Sequence, residues 1–183
     1  MIGQLPKTLT IHGVDYPIRS DFRIALLIFQ ALNDNDLTDR EKAYIMLDAL
    51  YEDIESIEDK NEAMKKAAWF LDGGKEYSRS ANTKLLDWEQ DEQMIFSSVN
   101  NVAKSEVREK EYLHWWTFLG YFNEIQEGLL STVIGIRQKK AKGEKLEKSE
   151  KDFYNKNRDI IDIKPKYTQE EMNEIAKLNE LLK

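Results

Sequence analysis

The chain has 183 residues, of which 41% are hydrophobic and 33% charged, and a formal net charge of −7. That is enough apolar material for a core, and the acidic balance disfavours non-specific binding to phosphates. There is no cysteine, which excludes disulfide staples, thiolate metal sites and a thiol nucleophile.

The first residues, Met1 to Lys7, lack the apolar run of a signal peptide. Thr8–Ile11 and Tyr16–Ile18 flank a turn containing Gly13 and predict a β-hairpin, with Pro17 marking an edge strand. A helix is expected from Asp21 to about Leu32, with Ser20 as its N-cap. It is apolar almost all round from Ile24 to Phe29 and is expected to be buried centrally. That run is far short of the ~20 residues a bilayer span needs, so a membrane protein is not expected. Thr38-Asp39-Arg40-Glu41 matches a capping box that opens a second helix. A third helix carries Met64, Ala67, Ala68 and Leu71 and should stop at Gly73-Gly74.

Lys75–Thr83 reads as a polar linker. A fourth helix is expected through Leu85, Trp88, Ile95, Val99 and Val102. Next comes the densest aromatic stretch of the chain, Tyr112–Ile125, in which Tyr112, Trp115, Leu119 and Phe122 recur on one helical face. This is the helix on which other elements should pack. A sixth helix runs from Leu129 to about Lys142. Residues 137–166 hold eleven Lys/Arg against six Asp/Glu, and apolar residues thin to Leu146, Phe153 and Ile160, spaced seven apart. So narrow a stripe suits a helix lying on a partner. Thr168–Glu171 is a second capping box and opens a last helix with Met172, Ile175 and Leu182 on one face.

The fold class is therefore mainly α: a multi-helix bundle with a short N-terminal β-hairpin and a charged C-terminal helical extension. The expected organisation is a helical core domain over residues 1–136 and the extension over 137–183.

Candidate chemistry is sparse. His12 falls in a turn, and His114 has no Ser or Asp placed beside it by any motif, so a core or interface histidine is the better reading. Asp87 and Asp91 are four apart and could hold a hard cation. A solvated face, or partners for the basic segment after Ile136, explains them as well without a ligand. Gly73-Gly74-Lys75 lacks the spacing of a phosphate loop. The basic run Arg137–Lys142 suits a partner-facing helix better than a phosphate contact. No nucleophile–base pair is visible, so no enzyme and no cofactor are expected.

Several stretches, in this order, resemble a phage family: Tyr16-Pro17-Ile18 with Ser20-Asp21-Phe22-Arg23; Ala68-Trp69-Phe70 leading into Gly73-Gly74-Lys75; Leu86-Asp87-Trp88-Glu89-Gln90-Asp91; Leu113-His114-Trp115-Trp116-Thr117-Phe118; and Ile134-Gly135-Ile136-Arg137. They are similar to the gene-product-fifteen group of long-tailed phages and prophages of Gram-positive bacteria, over about residues 9 to 160. The resemblance implies a non-enzymatic tail-assembly chaperone in the cytoplasm of the bacterial host. Its partners would be the tape measure protein and the major tail (tube) protein. A structural tail component and a nucleic-acid-binding phage factor are the alternatives. Trp115, Trp116, Phe118 and Phe122 are expected to form the core or a client groove. Arg137, Lys139, Lys140 and Phe153 are expected as an outward contact surface. Self-association is a further possibility.

Overall fold

The fold is described for residues 3–75 and 84–181 of a computed structural model. The expected linker at Lys75–Thr83 lies, from residue 76 on, outside the described residues, as does Leu182.

The architecture is mainly α. β1 (Thr8–Ile11) and β2 (Val14–Pro17) form an antiparallel hairpin with Leu9 opposite Tyr16. Its turn, His12-Gly13, has φ values of 48° and 85°, the positive pair that a two-residue hairpin turn requires. Leu9 and Ile11 point inward and pack on α3 (Lys60–Leu71). The turn is tied to the same helix, because His12 Nε2 lies 2.9 Å from Asp59 and the Asp59 carboxylate caps α3 by accepting from Glu62 N–H.

α1 (Phe22–Leu32) is capped by Asp21, not by Ser20, and the Asp21 carboxylate accepts from Arg23 N–H at 3.0 Å. Only one side of α1 is enclosed. Phe22, Ala25 and Ile28 are buried, whereas Leu27 is 55% exposed, so the central burial expected of this helix holds for one face only. A small domain has too little material to cover such a helix all round.

α2 (Asp39–Leu50) opens on the expected box, with Thr38 and Glu41 satisfying each other's amides. Its far end is closed by Arg19, whose guanidinium donates to the carbonyls of Asp48 and Ala49 and, just beyond the helix, Tyr51 and Glu52. A cation there satisfies orphan carbonyls and favours the negative end of the helix dipole.

α4 (Glu92–Ala103) begins later than the sequence pattern predicts. Asp87 is the reason. Its carboxylate accepts from Glu89 and Gln90 N–H, each at 3.0 Å, and holds residues 87–91 as a turn. Asp87 and Asp91 therefore do not share a helix face. A one-turn 3-10 segment (Val107–Glu109) leads to α5 (Trp115–Asn123), then α6 (Leu129–Lys142), α7 (Lys148–Lys156), α8 (Arg158–Ile161) and α9 (Gln169–Leu181).

The expected division after Ile136 falls inside α6. Arg137, expected on the outer surface, is buried. Its five N–H donors all find acceptors: two reach Asp91 at 2.5 and 2.9 Å, and the others reach the carbonyls of Leu85, Ile160 and Ile161. Asp91 in turn accepts from Asp87 N–H. One guanidinium thus joins α6, the turn before α4 and the end of α8. Beside it Val133, Ile136 and Ile161 form a small second core, with Leu146, Phe153, Tyr154 and Ile160 against it. The seven-residue stripe is therefore matched by the protein's own α6 and α8 rather than by a partner.

Arg137→Ala leaves Asp91 buried without its counter-ion and should cost about 3–5 kcal/mol, read from urea unfolding. Arg137→Met combined with Asp91→Leu should recover a good part of that loss, since a buried pair replaced by apolar groups no longer leaves an orphan charge.

Candidate functional site

The aromatic stretch is built around helix ends. α5 starts at Trp115 because His114 caps it: His114 Nδ1 accepts from Trp116 N–H at 3.0 Å. That bond requires Nδ1 to be unprotonated, so the ring proton sits on Nε2, which donates to the Pro6 carbonyl at 2.9 Å. Burial pushes the His114 imidazole below its usual range, and nearby Lys7 adds to this. Tyr112 precedes the helix, is exposed, and pairs its hydroxyl with Ser20 Oγ at 2.7 Å. The expected face of Tyr112, Trp115, Leu119 and Phe122 is therefore displaced: the buried side chains of α5 are Trp115 and Phe118.

The two adjacent tryptophans do one job in two environments. Trp115 Nε1 donates to Leu71 O and Trp116 Nε1 to Phe70 O, both at 2.9 Å. These are last-turn carbonyls of α3 that the helix itself cannot fully satisfy. Trp115 lies in the core, its ring 5.7 Å from Phe118 in a stacked arrangement. Trp116 is half-buried and meets Trp69 edge-on at 5.3 Å. Phe118 is fully buried and stacks on Phe22 at 4.8 Å, while Phe122 is half-buried against Trp88 at 5.4 Å.

Trp116, Leu119, Gly120 and Asn123 line a groove of about 420 Å³ with Gly73, Lys75 and the edge of Trp115. Gly120 lines it, and Gly74 lies against the ring of Trp116. Gly74 has φ 84°, and a Cβ there would come within 2.8 Å of the Trp116 ring. Gly120 faces open space in the middle of α5, with nothing within 4 Å of a Cβ.

The charged candidates are engaged within the chain. Lys139 pairs with Glu150 at 2.6 Å, which lowers the Glu150 carboxyl and raises the Lys139 ammonium. Lys140 reaches Asp162 at 2.5 Å and the Tyr154 hydroxyl at 2.7 Å. Phe153 is half-buried in the second core. Of the eight residues read from the sequence, Trp115 and Trp116 share a groove. Phe118 and Phe122 pack behind them, Arg137 is internal, and Lys139, Lys140 and Phe153 serve the α6–α8 packing.

Sequence reasoning missed a second groove, between α1 and α4, where Leu26, Leu27, Trp88, Ile95, Arg23 and Arg108 line about 560 Å³. The apolar run of α1 shows that some side of the helix is left bare, but not which side or what lies beside it.

Among the described residues, no three His, Asp or Glu side chains are grouped to hold a metal ion, and no helix is long and apolar enough to cross a membrane. Fold and surface together define a mainly α protein, hairpin-led, with its aromatic side chains concentrated around α5. A family model described as "Bacteriophage Gp15 protein" matches residues 1–163. The chain belongs to that family and is a phage-related protein. No curated protein and no solved structure matches it.

Two measurements probe this site. The His114 imidazole is held neutral in the fold, so below its ordinary value of 6.5 the unfolded chain takes up a proton that the folded chain resists. Stability is then lost as pH falls below that value and is level above it. The urea midpoint should drop between pH 7.5 and 5.5, and drop less in His114→Asn, which keeps a capping side chain without the titration. Gly74→Ala should destabilise by about 1–3 kcal/mol through its positive φ and its collision with Trp116, with a shift in tryptophan fluorescence.

Proposed function

We propose that this protein is a tail-assembly chaperone that binds the phage tape measure protein and helps bring tail-tube subunits to it, in the cytoplasm of the bacterial host. Membership of the phage family supports this reading. The observation that carries it is the groove beside α5, where Trp116 is held half-open by its bond to Phe70 O and by contact with Gly74. A fixed aromatic surface beside small residues suits an apolar helical client, since aromatic rings contribute large contact area at low entropic cost. The net charge of −7 keeps such a protein apart from its own copies outside specific contacts. The pairing of Lys139, Lys140 and Arg137 with acids of the same chain speaks against a nucleic-acid surface.

Co-expression with the cognate tape measure protein tests the reading. A soluble complex is expected with the wild-type chain. Gly120→Glu places a charge in the groove at an open, unstrained position and should lower the soluble fraction several-fold, while Gly120→Ala should not. A tape measure equally insoluble with and without the wild-type chain ends the chaperone reading. Equal solubility with Gly120→Glu leaves the role and removes the groove. Purified virions should lack the protein by mass spectrometry, which separates a chaperone from a structural tail component.

A further inference from the structure

We infer that His114 is an acid-operated catch on the α5 groove: when its ring takes up a proton it stops holding the Trp116 amide, and the Trp116 wall of the groove loosens while the rest of the fold stands. His114 is 2% exposed, and both its ring nitrogens are committed. Nδ1 accepts from Trp116 N–H at 3.0 Å, and Nε2 donates to Pro6 O at 2.9 Å. A neutral ring can do both, whereas a protonated one has two donors and no acceptor.

The two bonds respond differently to the proton. Nε2–H still faces Pro6 O, and the added charge strengthens that bond. The ring is also packed edge-on against Phe70 and Trp116, with centres 5.7 and 6.2 Å away, so it stays in place. Nδ1–H then points at Trp116 N–H, donor against donor, and sets a positive charge at the positive end of α5. The amide gives way. Among the described residues, the charged groups around the ring offer it no relief. Lys7, on the N-terminal segment, repels the imidazolium. Asp21, bridged to His114 at the start of α1, has both carboxylate oxygens taken by Leu113 N–H and by the amide and guanidinium of Arg23. From α3 the ring meets Phe70, and the Tyr112 hydroxyl before α5 is paired with Ser20.

The loosening stops at Trp116 because its neighbours are held by other bonds. Trp115 N–H donates to Ser20 O at 2.8 Å and its indole to Leu71 O at 2.9 Å, and neither bond involves the imidazole. The next amides, Thr117 and Phe118, donate to the His114 carbonyl, which does not titrate. Trp116 keeps its indole bond to Phe70 O and its packing on Trp69 and Gly74. Because Trp116 lines the groove, that wall is firm near neutrality and slack in acid. Linkage sets the sign. The closed state keeps the ring neutral and the open one lets it titrate near its ordinary value of 6.5, so the open population rises as pH falls below that value. The inference concerns the groove whatever binds there, and it stands without the chaperone reading.

Amide hydrogen exchange of the full chain, followed by NMR between pH 7.5 and 5.5 with no client present, tests it. Protection of the Trp116 amide, taken relative to the intrinsic exchange rate at each pH, should fall several-fold over that range and at most roughly tenfold, while that of the Trp115 amide holds. His114→Asn keeps a capping side chain that does not titrate, so its Trp116 protection should be level with pH. The comparison of the two wild-type amides decides even without the variant. Three outcomes would overturn the proposal: Trp116 protection that stays level in the wild-type chain, Trp115 protection that falls in step with it, or an equal fall in His114→Asn. The second makes the acid response a general unfolding, and the third places the titrating group elsewhere.

Discussion

Residues 20–22 lie against residues 113–115, and this short seam is the constraint from which the rest of the core is arranged. Phe22 N–H donates to Leu113 O at 2.9 Å, and Trp115 N–H donates to Ser20 O at 2.8 Å. The Asp21 carboxylate, besides capping α1, accepts from Leu113 N–H at 2.9 Å. Two helices, α1 and α5, therefore start side by side from one bridged pair of extended residues. Their first turns expose donors that have no partners within either helix. Asp21 and His114 supply the acceptors, and Phe22 and Phe118 are brought into stacking contact just inside. Everything downstream of that seam, including the direction in which Trp115 and Trp116 point, follows from where α5 begins.

Side chains from far along the chain also serve the C-terminal ends of three other helices. Arg19 closes α2, Trp115 and Trp116 close α3, and Arg137 ties the carbonyls at the end of α8 to the turn before α4. Backbone groups buried without partners cost more than paired ones contribute, so these contacts matter chiefly through what their loss would leave behind. No buried side-chain nitrogen or oxygen among the described residues lacks a partner. The aromatic helix is thus held by polar accounting as much as by apolar area. That is why its tryptophans can be both structural and, in one case, open to the surface.

Local rules carried the sequence reading a long way. The hairpin, both capping boxes, the end of α3 at its glycine pair and the mainly α class all rest on contacts within a few residues, and the structure has them. The misreadings share a cause. Ser20 loses the cap to Asp21 because residue 113 needs an acceptor, and Tyr112 drops off the helix because His114 takes over its first turn. Arg137 sits in a lysine-rich run that reads as surface, and only the position of Asp91, 46 residues earlier, makes it internal. One reading of Asp91 from the sequence, as a partner for the basic segment, names the right bond without its burial. The α1–α4 groove was illegible for a related reason: periodicity shows which residues are apolar, and only packing shows which of them the neighbours fail to reach.

The molecule is uneven in how its parts are held, and that bears on how surfaces of this kind act. The region from the hairpin to α8 is cross-linked by long-range bonds. α9 lies beyond the family-matched residues and contributes no buried described side chain. An isolated helix of about thirteen residues is marginal in water even with good caps. Thr168 and Glu171 cap α9, and its first turn is tied to the body where Gln169 N–H donates to Asp36 and the Asn35 side chain donates to Lys166 O, so the nucleus that normally limits helix formation is already in place. What remains is propagation, which each newly covered apolar residue favours.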